Sequence, residues 1–157
     1  FTLPKPIINK GGCNLSFAGL KTAVLRISTK LRNKKEKYHL AASFQKTINK
    51  ILNEKTKTAM EEFLIKNKKN KKKTFVIAGG VASNFSIRKN LIELASKKDF
   101  ISVFPPPNLC SDNAAMIAWA GIERYKINLI DNLEFPAKAR WPLDNFAPFL
   151  KGPGLKL

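Results

Sequence analysis

The sequence predicts an α/β fold, and three observations carry that prediction. Phe75–Asn84, FVIAGGVASN, reads as a buried strand that runs into a glycine turn and then a helix. A second apolar run, Ile101–Phe104, meets Pro105-Pro106-Pro107 and then the polar cluster Cys110-Ser111-Asp112-Asn113 at the start of another helix. Upstream of both, apolar residues recur at helical spacing with no strand between them. An open α/β sheet binds ligands at the carboxyl ends of its strands. The loops 79–84 and 104–113 are therefore the candidate ligand-facing loops. Two such loops facing one crevice point to a nucleotide-type ligand, a metal, and an enzyme lobe before a plain binding protein.

In chain order, residues 1–14 are rich in Pro, Gly and Asn, have no period and read as a lead-in loop. The α/β lobe follows over 15–126, with its helical cover at 15–66. From Ser16, a sensible N-cap, Phe17, Leu20, Val24, Ile27 and Leu31 form the stripe of an amphipathic helix. A second helix carries Leu40, Ala41, Phe44, Ile48, Ile51 and Leu52 and continues, with or without a break, through Ala59, Met60, Phe63 and Leu64. Lys66–Lys73, KNKKNKKK, is either a solvated loop or a phosphate-contacting one. Strand Phe75–Ala78 then enters the Gly79-Gly80 turn and a helix bearing Ile87, Leu91, Leu94 and Ala95. The proline run stops the strand Ile101–Phe104 and fixes the direction of its exit. A last helix spans about Asp112 to Lys126, and its small residues Ala114, Ala115, Ala118 and Gly121 allow close packing on the sheet. The segment 127–157 has no regular period and reads as a tail wrapped on the lobe, fraying near Lys151–Leu157.

Length and composition bound the function classes. A chain of 157 residues with 44% hydrophobic content is normally one globular domain. No run approaches the roughly 18–20 apolar residues of a membrane span, and the amino end lacks a secretory core, so a cytoplasmic protein without a membrane partner is expected. The chain begins with Phe, which fits either removal of an upstream segment or a piece of something longer. Cys13 and Cys110 do not make a disulfide framework and read as reduced thiols. The net charge of +18 attracts polyanions. Only five of the 29 basic residues are Arg, however, whereas phosphate forks lean on Arg. Selected RNA binding and drift toward AT-rich codons both account for the lysines.

The candidate chemistry is narrow. Gly79 and Gly80 permit a positive φ or a close backbone approach to a ligand. Asn84, at the mouth of a helix, either caps it or hydrogen-bonds a ribose or purine edge. Asp112 is either a helix cap or a metal ligand. With His39 as the only histidine and no CxxC pair, the chain alone builds neither a His-rich metal site nor a Ser-His-Asp triad. The phosphate-loop motifs GxGxxG and GxxxxGK[ST] are absent.

Three blocks resemble the C-terminal part of the tRNA N6-adenosine threonylcarbamoyltransferases, formerly called glycoproteases. They are Leu15–Val24 (LSFAGLKTAV), Val76–Asn84 (VIAGGVASN) and Phe104–Ala118 (FPPPNLCSDNAAMIA). The closing Ala139–Asp144 (ARWPLD) is similar to the bacterial members. The resemblance implies the two-lobed fold of actin, Hsp70 and sugar kinases, and transfer of a threonylcarbamoyl group from its adenylate to N6 of the adenosine beside the tRNA anticodon. It implies that Asn84 contacts the adenylate, that Gly79 and Gly80 line its adenine side, and that Asp112 ligates one divalent metal, usually iron. Small accessory subunits are implied as partners.

The family's H-x-x-x-H metal histidines and phosphate loops lie upstream of the part matched. Ala18 stands where the family usually has Ser, and Asn14 where Asp is common. The chain alone is therefore expected to bind metal weakly and transfer nothing. Two other readings are a basic RNA-binding lobe that has lost catalysis and a sugar- or acetate-kinase relative, the latter disfavoured by the C-S-D-N-A-A-M block.

Overall fold

The structure is a computed structural model and describes residues 1–68 and 72–137. Residues 69–71 of the lysine block, and Ala139–Asp144 and Lys151–Leu157 of the tail, lie outside the described residues. Two compact units are present, residues 1–113 and 114–157. Within the first unit the elements are α1 (Ala18–Ser28), α2 (Lys34–Lys66), β1 (Thr74–Val76), α3 (Phe85–Lys97) and β2 (Ile101–Val103). The second unit carries α4 (Ala114–Lys126). Helices with a small parallel sheet make this an α/β chain, as expected.

The cover is built as its stripe requires, with one correction and one open alternative decided. Phe17, not Ser16, stands at the N-cap of α1, and no side chain caps it. The second helix has no break: α2 runs uninterrupted for 33 residues, about 50 Å at 1.5 Å per residue. Its start is well capped. Asn33 accepts from the Glu36 amide (2.9 Å), one of the donors a helix start leaves free, and Glu36 reaches back to accept from the Arg32 amide (2.8 Å) just before the cap.

Because α2 is long, it serves two cores. Near its start Leu40 and Ile51 close on Leu20 and Leu3, with Val24, Ile27, Leu31 and Ile48 packed around them. Leu20 and Ile51 are fully buried, each worth about 1.5–3 kcal/mol in removal from water. Toward its end Met60 packs with Ala95 and Phe100, and the Phe63 and Phe100 rings meet edge-on at 5.7 Å.

The lead-in loop is not a loose segment. Leu3 belongs to the first core. Lys55, only 5% exposed, donates from Nζ to the carbonyls of Lys10 (2.6 Å) and Gly12 (3.0 Å). A buried ammonium needs such acceptors. Beside it, lost hydration and then the Glu62 carboxylate push the Cys13 thiol up from its ordinary pKa.

The parallel pair β1–β2 is in register Thr74 to Ile101, Phe75 to Ser102 and Val76 to Val103. Bonds from Ile101 to Lys73 (2.7 Å) and from Ile77 to Val103 (3.0 Å) extend it at both ends. Both strands are shorter than the apolar runs predict, β1 ending at Val76 and β2 at Val103. Crossover helix α3 buries Ile87, Leu91 and Ala95. It stops where Asp99 takes a left-handed φ of 57° while the Phe100 amide returns to Ala95, a C-terminal turn that feeds β2. At the C-terminal end of α3, a hydrogen bond from Lys98 holds the Glu61 carboxyl of α2 below its usual range.

Helix α4 begins at Ala114 rather than Asp112, and none of its residues is buried. After it, Arg124 approaches Asp131 at 3.6 Å. Among the described residues, no helix is long and apolar enough to cross a membrane.

Candidate ligand-facing loops

Both candidate loops leave the carboxyl ends of adjacent parallel strands, and the structure brings them together. The first forms a short 3-10 turn, Gly80–Ser83, and the second another, Pro107–Leu109; the two turns lie against each other.

Gly79 carries the sharp change of direction, with φ 83° and ψ 177°. That region is open almost only to glycine. Among the described residues, nothing lies within 4 Å of where a Cβ would stand on Gly79 or on Gly80. The described residues leave the space above this backbone clear. The turn is tied down from below: Ala82 is buried, and the Ser83 hydroxyl donates to the Gly80 carbonyl (2.7 Å).

Asn84 is engaged at both ends of its amide. Its Oδ1 accepts from the Ile87 amide (3.1 Å) as the N-cap of α3, and its Nδ2 donates to Gln45 Oε1 (2.9 Å) on α2. Capping, the plainer of the two sequence readings, is what the geometry displays. The network continues beyond it: Gln45 donates to Asn49 (3.0 Å), and Asn49 to the Ser86 hydroxyl (2.8 Å). These residues, with Asn53 and Asn90, line an open cavity of about 530 Å³ between α2 and α3. Asn53 Oδ1 is buried there without a hydrogen-bond partner among the described residues. Sequence reasoning missed this row. Its signal was Gln45, Asn49 and Asn53 at four-residue spacing, which puts three carboxamides on one helix face.

In the second loop the cysteine is the anchor and the aspartate is not. Cys110 is 2% exposed. Its Sγ lies 3.5 Å from the Pro106 carbonyl and 3.7 Å from that of Pro105, and it receives Arg88 Nη2 at 3.1 Å. Asn113 folds its amide back on the Ser111 carbonyl (3.0 Å). Asp112 is exposed and lies one residue before the position that would cap α4. Among the described residues, no group of three or more His, Cys, Asp or Glu is placed to hold a metal. His39 is exposed on α2.

A parallel strand–helix–strand unit with two joined loops at its strand ends places this chain in the α/β class, whose ligands bind outside the carboxyl ends of such strands. The sequence profile of the tRNA N6-adenosine threonylcarbamoyltransferase family matches residues 1–119. The chain is 59% identical over its whole length to the enzyme of that name from Pelagibacter ubique, of which it covers 44%. It is 46% identical to that of Zymomonas mobilis over 98% of the chain and 41% of the relative. It is 42% identical to that of Rhodospirillum rubrum over 98% of the chain and 43% of the relative. The chain belongs to the tRNA N6-adenosine threonylcarbamoyltransferase family. It spans less than half the length of these relatives.

Proposed function

We propose that this chain is the C-terminal part of a tRNA-modifying transferase, one lobe of a two-lobed fold of the actin and sugar-kinase type. The reaction is transfer of a threonylcarbamoyl group from its adenylate to the exocyclic N6 of an adenosine beside the tRNA anticodon. The observation that carries this reading is the junction of loops 79–84 and 104–113 at the carboxyl ends of β1 and β2, in a chain of this family.

In that reading the open backbone at Gly79 and Gly80 receives the adenine side of the adenylate, and Asn84 orients it. Asn84 retains one amide hydrogen and one acceptor lone pair beyond its two internal bonds. The +18 charge supplies long-range attraction for tRNA. Cytoplasmic placement and accessory subunits follow from the same assignment.

The residues present do not by themselves fit a metal. Asp112 offers one exposed carboxylate, and the described residues give it no companion donors. We assign Asp112 as a single ligand, with iron the expected ion and the other donors outside this chain, and derive no step through the metal.

The test is threonylcarbamoyl transfer to tRNA by the chain alone and by a version joined to the upstream part of a relative. The chain alone is expected to be inactive and the joined protein active. Full activity of the chain alone would overturn the division of labour. Inactivity of both, with tRNA binding that falls steeply with salt and ignores Asn84→Ala, would favour a basic RNA-binding lobe instead.

A further inference from the structure

The junction between the two loops depends on one side chain that no catalytic assignment uses. Arg88 stands on the first turn of α3, half-buried, and its guanidinium reaches both loops at once. Nε donates to the Ala82 carbonyl in the first loop. Nη2 donates to the Pro105 carbonyl (2.7 Å) and to Cys110 Sγ (3.1 Å) in the second. The guanidinium carbon sits 4.9 Å from the centre of the Phe104 ring, where β2 runs into its loop. A planar fork with donors on two edges and a face for an aromatic ring suits this bridging task; a lysine, a single point of charge, does not.

We infer that Arg88 is a positioning residue that holds the glycine loop and the Asp112 loop in register. The inference rests on reading those loops as ligand-facing. Three carbonyl or sulfur acceptors, drawn from segments 23 and more residues apart in sequence at Ala82 and Pro105, converge on one guanidinium. Ala82 lies two residues before Asn84, and Cys110 two before Asp112. Moving either anchor therefore shifts the residue that the family reading places against the ligand. The buried thiol of Cys110 also makes the clamp readable, because its protection depends on the loop staying closed over it.

The experiment uses the 157-residue chain carrying Cys13→Ser, so that Cys110 is the only thiol. Iodoacetamide alkylation is followed under native conditions, and backbone amide exchange is followed by segment. With Arg88→Ala, Cys110 is expected to react roughly tenfold faster or more, as local opening becomes easier. Amides of 79–84 and 104–110 should exchange faster, while those around Leu20 and Ile51 should not. Lys89→Ala, one residue along the same helix, is the control and should change neither. Where Arg88→Ala lacks a cooperative melting transition, Arg88→Lys is read by the same measures and should open the loops without opening the cover. Wild-type protection of Cys110 in a folded variant would overturn the inference. So would acceleration shared equally by loops and cover, which marks a merely structural role. Neither readout uses a substrate, so both stand or fall apart from the transferase reading.

Discussion

The loops that follow β1 and β2 solve opposite problems. In the first, every distinctive residue is tied internally: Gly79 by its φ of 83°, Ser83 by its bond to Gly80, and Asn84 by a helix cap and a bond to Gln45. In the second, Cys110 is the buried anchor and Asn113 bonds back to the Ser111 and Leu109 carbonyls, while Asp112 stands exposed. A rigid backbone surface suits recognition of a flat, largely uncharged group such as a purine. An exposed carboxylate suits a ligand that arrives with its other partners. The two loops thus differ in what they lack. On the proposed reading, one waits only for a ligand, whereas the other waits for donors outside this chain.

The largest effect expected from breaking this contrast is at the first turn. Gly79→Ala places a Cβ on a backbone conformation almost reserved for glycine and should cost about 1–3 kcal/mol. Gly80→Ala is the internal control. Among the described residues it meets nothing within 4 Å, and it carries no positive φ, so its denaturation midpoint should stay near wild type. Equal losses at both positions, measured by urea unfolding, would show that the positive φ of Gly79 does not set the strength of the turn.

Next in size is Asn84→Ala. Losing the N-cap should cost about 0.5–2 kcal/mol, with the bond to Gln45 lost as well. Asn84→Asp keeps the capping oxygen but puts a charge where Gln45 accepts, and should recover the cap alone. If Asn84→Ala unfolds at the wild-type urea concentration, the first loop is not held as this comparison requires.

The sequence made much of this readable, and the reasons for the exceptions are physical. The stripe Leu20, Val24, Ile27 and Leu31 places the first core, because a 3.6-residue period fixes which side chains can face inward. The run FVIAGG places the turn, because a strand followed by glycines has few other geometries. Ser16 fails as a cap because the helix begins at Ala18, one residue later than a Ser16 cap requires, and helix ends are set by local competition that a stripe does not record. The four-residue spacing of Gln45 and Asn49 is readable, but the contacts of Lys55 and the bond from Asn49 to Ser86 are not legible. Their partners lie 37 to 45 residues away, and a polar residue on a helix face gives no sign of whether it will meet one. The pairing of the loops is legible from two strand ends, but the clamp is not: in sequence Arg88 is one basic residue among 29.

The smallest expected effect is the most discriminating. Asp112→Ala removes an exposed carboxylate that neither caps α4 nor joins any acidic or histidine cluster among the described residues. Its unfolding free energy should therefore stay within about 0.5 kcal/mol of wild type, the ordinary range for a surface change. On the proposed reading, Asp112 serves the ligand and not the fold. In the protein joined to its upstream part, the same substitution should then remove bound metal and transfer activity, with the melting curve unmoved. Metal content equal to wild type would strip Asp112 of its role as a ligand. A large loss of stability in the chain alone would show instead that the second loop is tied as firmly as the first, and the contrast between them would disappear.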